Sequence, residues 1–126
     1  MFSKENRTLS DIFISYARED RSRVAPFVEL LEQQGWTAWW DRELSPGQHF
    51  ERIIDDEILE AQCVVVFWSQ HSVGSEWVLA EAHDGLDRGI LIPVLLDEVR
   101  VPLVFRQKQS AFLRIRILVI LSFFPF

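Results

Sequence analysis

The chain has 126 residues, 48% of them hydrophobic and 25% charged, the size and composition of one globular domain, which excludes intrinsic disorder and collagen-like fibre. Asp and Glu number 19 against 13 Lys and Arg, for a formal net charge of −6; that balance denies the cationic field that phosphate backbones select, so no nucleic-acid partner is expected. Cys63 is the single cysteine; it excludes an internal disulfide and a cysteine-built metal site, and it points to a reducing, cytoplasmic setting.

In chain order, residues 1–8 read as an extension without the apolar run of a signal peptide. Leu9 to Tyr16 reads as a strand. Val24, Phe27, Val28 and Leu31 follow at i, i+3, i+4, i+7, one face of a helix that Gly35 ends and whose early turns hold Pro26. Trp36 to Trp40 is a second strand-like run, in which Trp39 and Trp40 point to opposite faces and one is expected in the core. The segment Asp41 to His49 carries Ser45-Pro46-Gly47, a loop signal. Phe50, Ile53, Ile54, Ile58 and Ala61 mark a second helix, Gln62 to Trp68 a third strand, Ser75 to about Leu86 a third helix, and Ile90 to Leu96 a fourth strand. Strand–helix alternation of this kind predicts an α/β fold, a parallel sheet with helices on both faces. Ligands of such sheets bind beyond the carboxyl ends of the strands, here near Tyr16-Ala17-Arg18, Asp41-Arg42 and Ser69-Gln70.

The end departs from this pattern. Residues 111–126 are apolar with Arg114 and Arg116 among them. The apolar stretch is shorter than the roughly 20 residues of a membrane span, so an aberrant tail is expected and membrane contact is not.

The third helix is the sharpest clue. At ~100° per residue, Val78, Leu79, Ala82 and Leu86 share a core face, while Trp77, Glu81, Asp84 and Arg88 fall opposite. Trp77 stands four residues before Glu81, so the two are helix neighbours. Either Trp77 folds against the preceding loop and Glu81 is solvated, or the pair forms a carboxylate beside an aromatic wall, suited to an apolar-sided pocket. Other chemistries find less support. His49, His71 and His83 lack metal-ligand spacing, and no metal site is expected. Ser69, Ser72 and Ser75 lack a nucleophile elbow. No Gly-x-Gly-x-x-Gly or Walker pattern occurs. Ser15-Tyr16 and Trp68-Ser69 stand where a phosphoacceptor receiver needs acidic residues.

Three motifs carry a resemblance. Asp11-Ile12-Phe13-Ile14-Ser15-Tyr16 resembles the first box of Toll/interleukin-1 receptor (TIR) domains. Gly35-Trp36, Trp39-Trp40-Asp41, Leu44-Ser45-Pro46-Gly47 and Phe50 resemble their second strand and BB loop, and Ser75-Glu76-Trp77-Val78-Leu79-Ala80-Glu81 resembles the Trp-x-x-x-Glu motif of the enzymatic members. The resemblance covers residues 9–110 and is greatest to bacterial members. It implies a flavodoxin-like parallel sheet of four to five strands with helices on both faces. It also implies cleavage of NAD+, as substrate and without a cofactor, to nicotinamide and linear or cyclised ADP-ribose. The family's catalytic glutamate falls on Glu81. Its substrate-binding positions fall on Ala17, Arg18, Ser45, Phe50 and Trp77, although many members have bulkier or basic residues at Ala17, and Phe50 and Arg18 also fit a core stripe and a surface charge. Self-association, or pairing with other TIR domains through the BB loop (Asp41 to His49), is implied as the route to a complete site. The rival readings are a non-catalytic TIR scaffold for homotypic interaction, which has no need of the Trp77–Glu81 pair, and a nucleoside deoxyribosyltransferase. After Pro102-Leu103-Val104-Phe105-Arg106 the family continues into a last strand and a polar, acidic helix; this chain turns basic and apolar, which predicts either poor solubility or a tail of low order.

Overall fold

The computed structural model describes residues 10–40 and 50–108, the side chains of 50–52, 107 and 108 excepted. Four strands, Ile12–Ser15 (β1), Ala38–Trp39 (β2), Cys63–Trp68 (β3) and Leu91–Leu95 (β4), form one parallel sheet in the order β2-β1-β3-β4. Helices Arg21–Gln33 (α1), Phe50–Glu60 (α2), Glu76–Asp87 (α3) and Leu103–Lys108 (α4) alternate with and follow the strands. The α/β fold expected from the alternation is therefore present, with four parallel strands among the described residues.

Alternate residues of each strand feed two cores. Phe13, Val64, Val66, Trp68 and Leu91 pack against Ile54 and Ile58 of α2, Val78 and Ala82 of α3, and Phe105 of α4. Ile12, Ile14, Val65, Phe67, Ile92 and Val94 pack on the other face against Val24, Val28 and Leu31 of α1. Because both faces are covered, β1 and β3 read as nearly unbroken apolar runs. Helix α1 ends at Gly35, whose φ of +93° suits a residue without a Cβ. Pro26 falls in the second turn of α1 on its exposed side, above the equally exposed Ser22, whose unpaired carbonyl water can satisfy. In β4, the Ile90 carbonyl and the Leu96 amide face β3. Pro93 has the opposite phase, so its missing N–H takes nothing from the ladder.

Pairing is shorter than the apolar runs suggest. Trp36 precedes β2 and is exposed, and neither Trp39 nor Trp40 is fully buried. Among the described residues strand β2 lies at the edge, paired to β1 alone. Trp39 stacks on Phe13, centroids 5.2 Å apart, while Trp40 lies on the opposite face near Tyr16, with Arg21 over its ring.

Two charged side chains tie elements together. Arg88, at the C-terminus of α3, donates to the carbonyls of Ile58 (2.7 Å), Leu59 (3.1 Å) and Ala61 (3.3 Å) and pairs with Asp84 at 2.8 Å. It thereby supplies the donors that the end of α2 lacks. Arg88→Ala is expected to lower unfolding free energy by about 2 kcal/mol, measured as a lower denaturant midpoint at unchanged slope.

Arg23 binds Asp97 through both carboxylate oxygens (2.7 and 3.3 Å) and the Leu96 carbonyl at 2.8 Å. The Arg23 guanidinium, then the Gln70 backbone amide, hold the Asp97 carboxyl below its ordinary value of 3.8. A lowered native value means a contribution present above pH 3.8 and lost as pH falls through that native value. The melting-temperature gap between wild type and Asp97→Asn is therefore expected to narrow on acidification below 3.8; a gap of constant size would contradict this.

Candidate active site

The chain leaves β1 for β2 on one side and crosses to β3 on the other, so the strand order reverses between β1 and β3. Such a reversal opens a crevice at the strands' carboxyl ends. β1 ends there with Ser15, on the face covered by α3; Phe13, two residues earlier, marks that face. Helix α3 starts nearby because Ser75 caps it, its Oγ accepting from the Val78 amide at 3.3 Å.

Glu81 sits one and a half turns into α3. Its side chain is not solvated: the residue is only 4% exposed. Ser15 Oγ, fully buried, donates to Glu81 Oε1 at 2.8 Å across 66 residues of sequence. This corrects the expected helix face. The buried stripe of α3 is Val78, Glu81, Ala82 and Gly85, and Leu79 and Leu86 flank it half-buried. On a helical wheel the true face is rotated by about 60° from the one that hydrophobicity marks. Gly85 is the reason. A Cβ there would stand 2.9 Å from Val64 Cβ, so α3 meets β3 through its smallest residue. That close approach carries Glu81, one turn earlier on the same side, under the helix and onto Ser15. The glycine was the available signal, and counting apolar residues alone passes over it.

Trp77, one turn before Glu81, is 53% exposed. The structure thus brings a buried carboxylate and an exposed indole together on one helix, above the end of β1. Ala17 and Arg18 follow Ser15 by two and three residues; Ala17 is buried and Arg18 exposed at the start of a 3-10 turn, Arg18–Asp20. Ser45 and the segment Asp41 to His49 lie outside the described residues, as does the tail 111–126. Phe50 opens α2, and its side chain is likewise outside them.

The TIR domain family model matches residues 12–117. The chain belongs to the TIR domain family. Two curated relatives are each 31% identical. The probable 2' cyclic ADP-D-ribose synthase TcpO of Methanobrevibacter olleyae aligns over 98 residues, 73% of this chain and 29% of that protein. The NAD(+) hydrolase TcpC of Escherichia coli O6:H1 aligns over 87 residues, 68% of this chain and 28% of that protein. The chain thus spans less than a third of the length of these relatives. Among solved structures, the TIR domain of the Toll-related receptor TRR-2 from Hydra magnipapillata superposes with a TM-score of 0.70 at 25% identity, covering 88% of this chain and 98% of that one. A metazoan TIR-STING receptor from C. gigas gives 0.68 at 27% identity, over 88% of this chain and 40% of that one.

In this TIR domain a second buried polar cluster backs the crevice, and sequence reading missed it. Asp20, 1% exposed, accepts from Ser69 Oγ, and Arg23 stands 3.4 Å from its carboxylate. Ser69 Oγ accepts from the amides of His71 and Ser72, and Ser72 Oγ donates to the Phe67 carbonyl at 2.7 Å. With Arg23 bound to Asp97, the cluster joins the segments that follow β1, β3 and β4. Tyr16 adds a tie to the end of β2, its hydroxyl donating to the Trp40 carbonyl at 2.6 Å. The contacts that join the separate segments, Asp20 with Ser69, Arg23 with Asp97 and Tyr16 with Trp40, are distant in sequence, which is why no local motif announces them. Among the described residues no group of three or more His, Cys, Asp or Glu is placed to hold a metal ion, and no helix is long and apolar enough to cross a membrane.

Proposed function

We propose that this TIR domain cleaves the nicotinamide–ribose bond of NAD+, releasing nicotinamide and an ADP-ribose product. The observation that carries the reading is Glu81, a carboxylate 4% exposed and held by Ser15 at the strand reversal, one turn from the exposed Trp77. The relatives named as an NAD(+) hydrolase and a probable cyclic ADP-ribose synthase support it.

The chemistry follows from charge. As the C1′–N bond breaks, its electron pair leaves with nicotinamide and positive, oxocarbenium-like charge builds on the ribose. Glu81 is a fixed negative group with which to stabilise that charge. The cationic ring is a good leaving group, so no strong general acid is needed. The Trp77 indole offers a flat apolar wall to the nicotinamide. In this reading the backbone around Ala17 and the Arg18 guanidinium, at the end of β1, meet the remainder of the nucleotide. Ser45 and Phe50, from the BB-loop side, close the pocket, with a neighbouring domain contributing through Asp41 to His49. Water at C1′ then gives ADP-ribose and a proton; attack by a hydroxyl of the same molecule gives a cyclic product.

The test is nicotinamide release from NAD+ by the protein at high local concentration, for instance tethered on vesicles, with products separated by chromatography. Release is expected, with the second product separating hydrolysis from cyclisation. No release in forced assemblies would instead favour a non-catalytic scaffold.

A further inference from the structure

Ser15 is the one polar residue of β1, Ile-Phe-Ile-Ser, in a sheet whose next strand fills the registered position with Val66. Serine there gives up the apolar burial that a valine supplies. It is fully buried, and its single hydroxyl proton goes to Glu81 Oε1 at 2.8 Å. A hydroxyl bonded to a carboxylate is among the stronger neutral-to-ionised contacts, and it fixes the terminal torsion of a long side chain that is otherwise broad and two-fold.

We propose that Ser15 is a positioning residue for the reaction: its hydroxyl sets the orientation in which Glu81 presents its carboxylate to the ribose. The inference rests on the NAD+-cleaving reading and deepens it. Ser15 does not touch the substrate. It acts through Glu81, from a strand that the sheet holds rigid on both sides, β2 and β3. Rigid placement matters because electrostatic stabilisation of a developing charge depends on donors and acceptors being oriented before the reaction starts.

The experiment compares wild type, Ser15→Ala, Ser15→Cys and Ser15→Thr in the full chain, with nicotinamide release measured over a range of NAD+ concentrations and melting curves run alongside. Ser15→Ala is expected to lower kcat by about ten- to hundred-fold, the effect of losing one hydrogen bond to a charged group. KM should stay within about two-fold, because ground-state binding is not what the hydroxyl supplies. Ser15→Thr, which keeps the hydroxyl, should recover most of the loss. Ser15→Cys, nearly the same size but a weak donor, should lie between and carries the test if Ser15→Ala fails to fold. A purely structural role would move stability in step with activity and leave the kcat–KM split absent. Wild-type kcat in a folded Ser15→Ala protein overturns the proposal while leaving NAD+ cleavage standing. Higher activity in Ser15→Ala also overturns it, since the contact would then be a restraint on Glu81. Absence of release by wild type in forced assemblies overturns the NAD+ reading, and the role of Ser15 with it.

Discussion

Glu81→Gln is expected to reduce nicotinamide release by about a thousand-fold or more, with the melting temperature within a few degrees of wild type. The amide has the shape of the carboxylate and retains an oxygen that can accept from Ser15 Oγ. What it lacks is the negative charge. In water, one charge more or less beside a developing cation matters little. At a position 4% exposed, beneath α3 and against the end of β1, the interaction is screened far less. Loss of turnover in a folded Glu81→Gln protein would separate charge from packing. Full turnover would remove Glu81 from the chemistry and return attention to a scaffold role. The comparison with Ser15→Ala is informative as a pair: if both act through one carboxylate, the double variant should be no worse than Glu81→Gln alone.

The second large effect concerns Gly85. Alanine is ordinarily better than glycine inside a helix, so Gly85→Ala would be expected to stabilise if the position were exposed. Here its Cβ would meet Val64 Cβ at 2.9 Å and Leu91 Cδ1 at 3.3 Å. The first of these atoms is fixed to the backbone of a central strand and cannot swing aside. We expect Gly85→Ala to destabilise by about 1–3 kcal/mol, through displacement of α3 from β3, and to lower the denaturant midpoint accordingly. Because Glu81 lies one turn away on the same buried stripe, turnover should fall as well, by misplacement of the carboxylate rather than by its loss. A variant as stable as wild type would show that α3 can rise from the sheet without cost.

The same glycine separates what was legible in the sequence from what was not. The strands, their parallel alternation with helices and the helix stop at Gly35 were legible, because each is written in local periodicity or in one residue type at one place: Val64, Val65 and Val66 for a strand buried on both faces, Gly35 beyond a helix end. The motif around Trp77 and Glu81 was legible as well, and with it the family. The face that α3 turns inward was not. Hydrophobicity marks Leu79 and Leu86, yet the helix packs where a missing side chain allows the closest approach, at Gly85. Nor could the sequence pair Ser15 with Glu81, 66 residues apart, or Asp20 with Ser69, 49 apart. A buried polar residue finds its partner only when the sheet order has brought two distant segments together, and nothing local encodes that meeting. By itself the sequence determined the elements, their alternation and the residue types available for chemistry. The tertiary structure decided which of those residues leave water and what they then bind, because burial is set by helix-to-sheet distance and strand order rather than by any residue's own polarity.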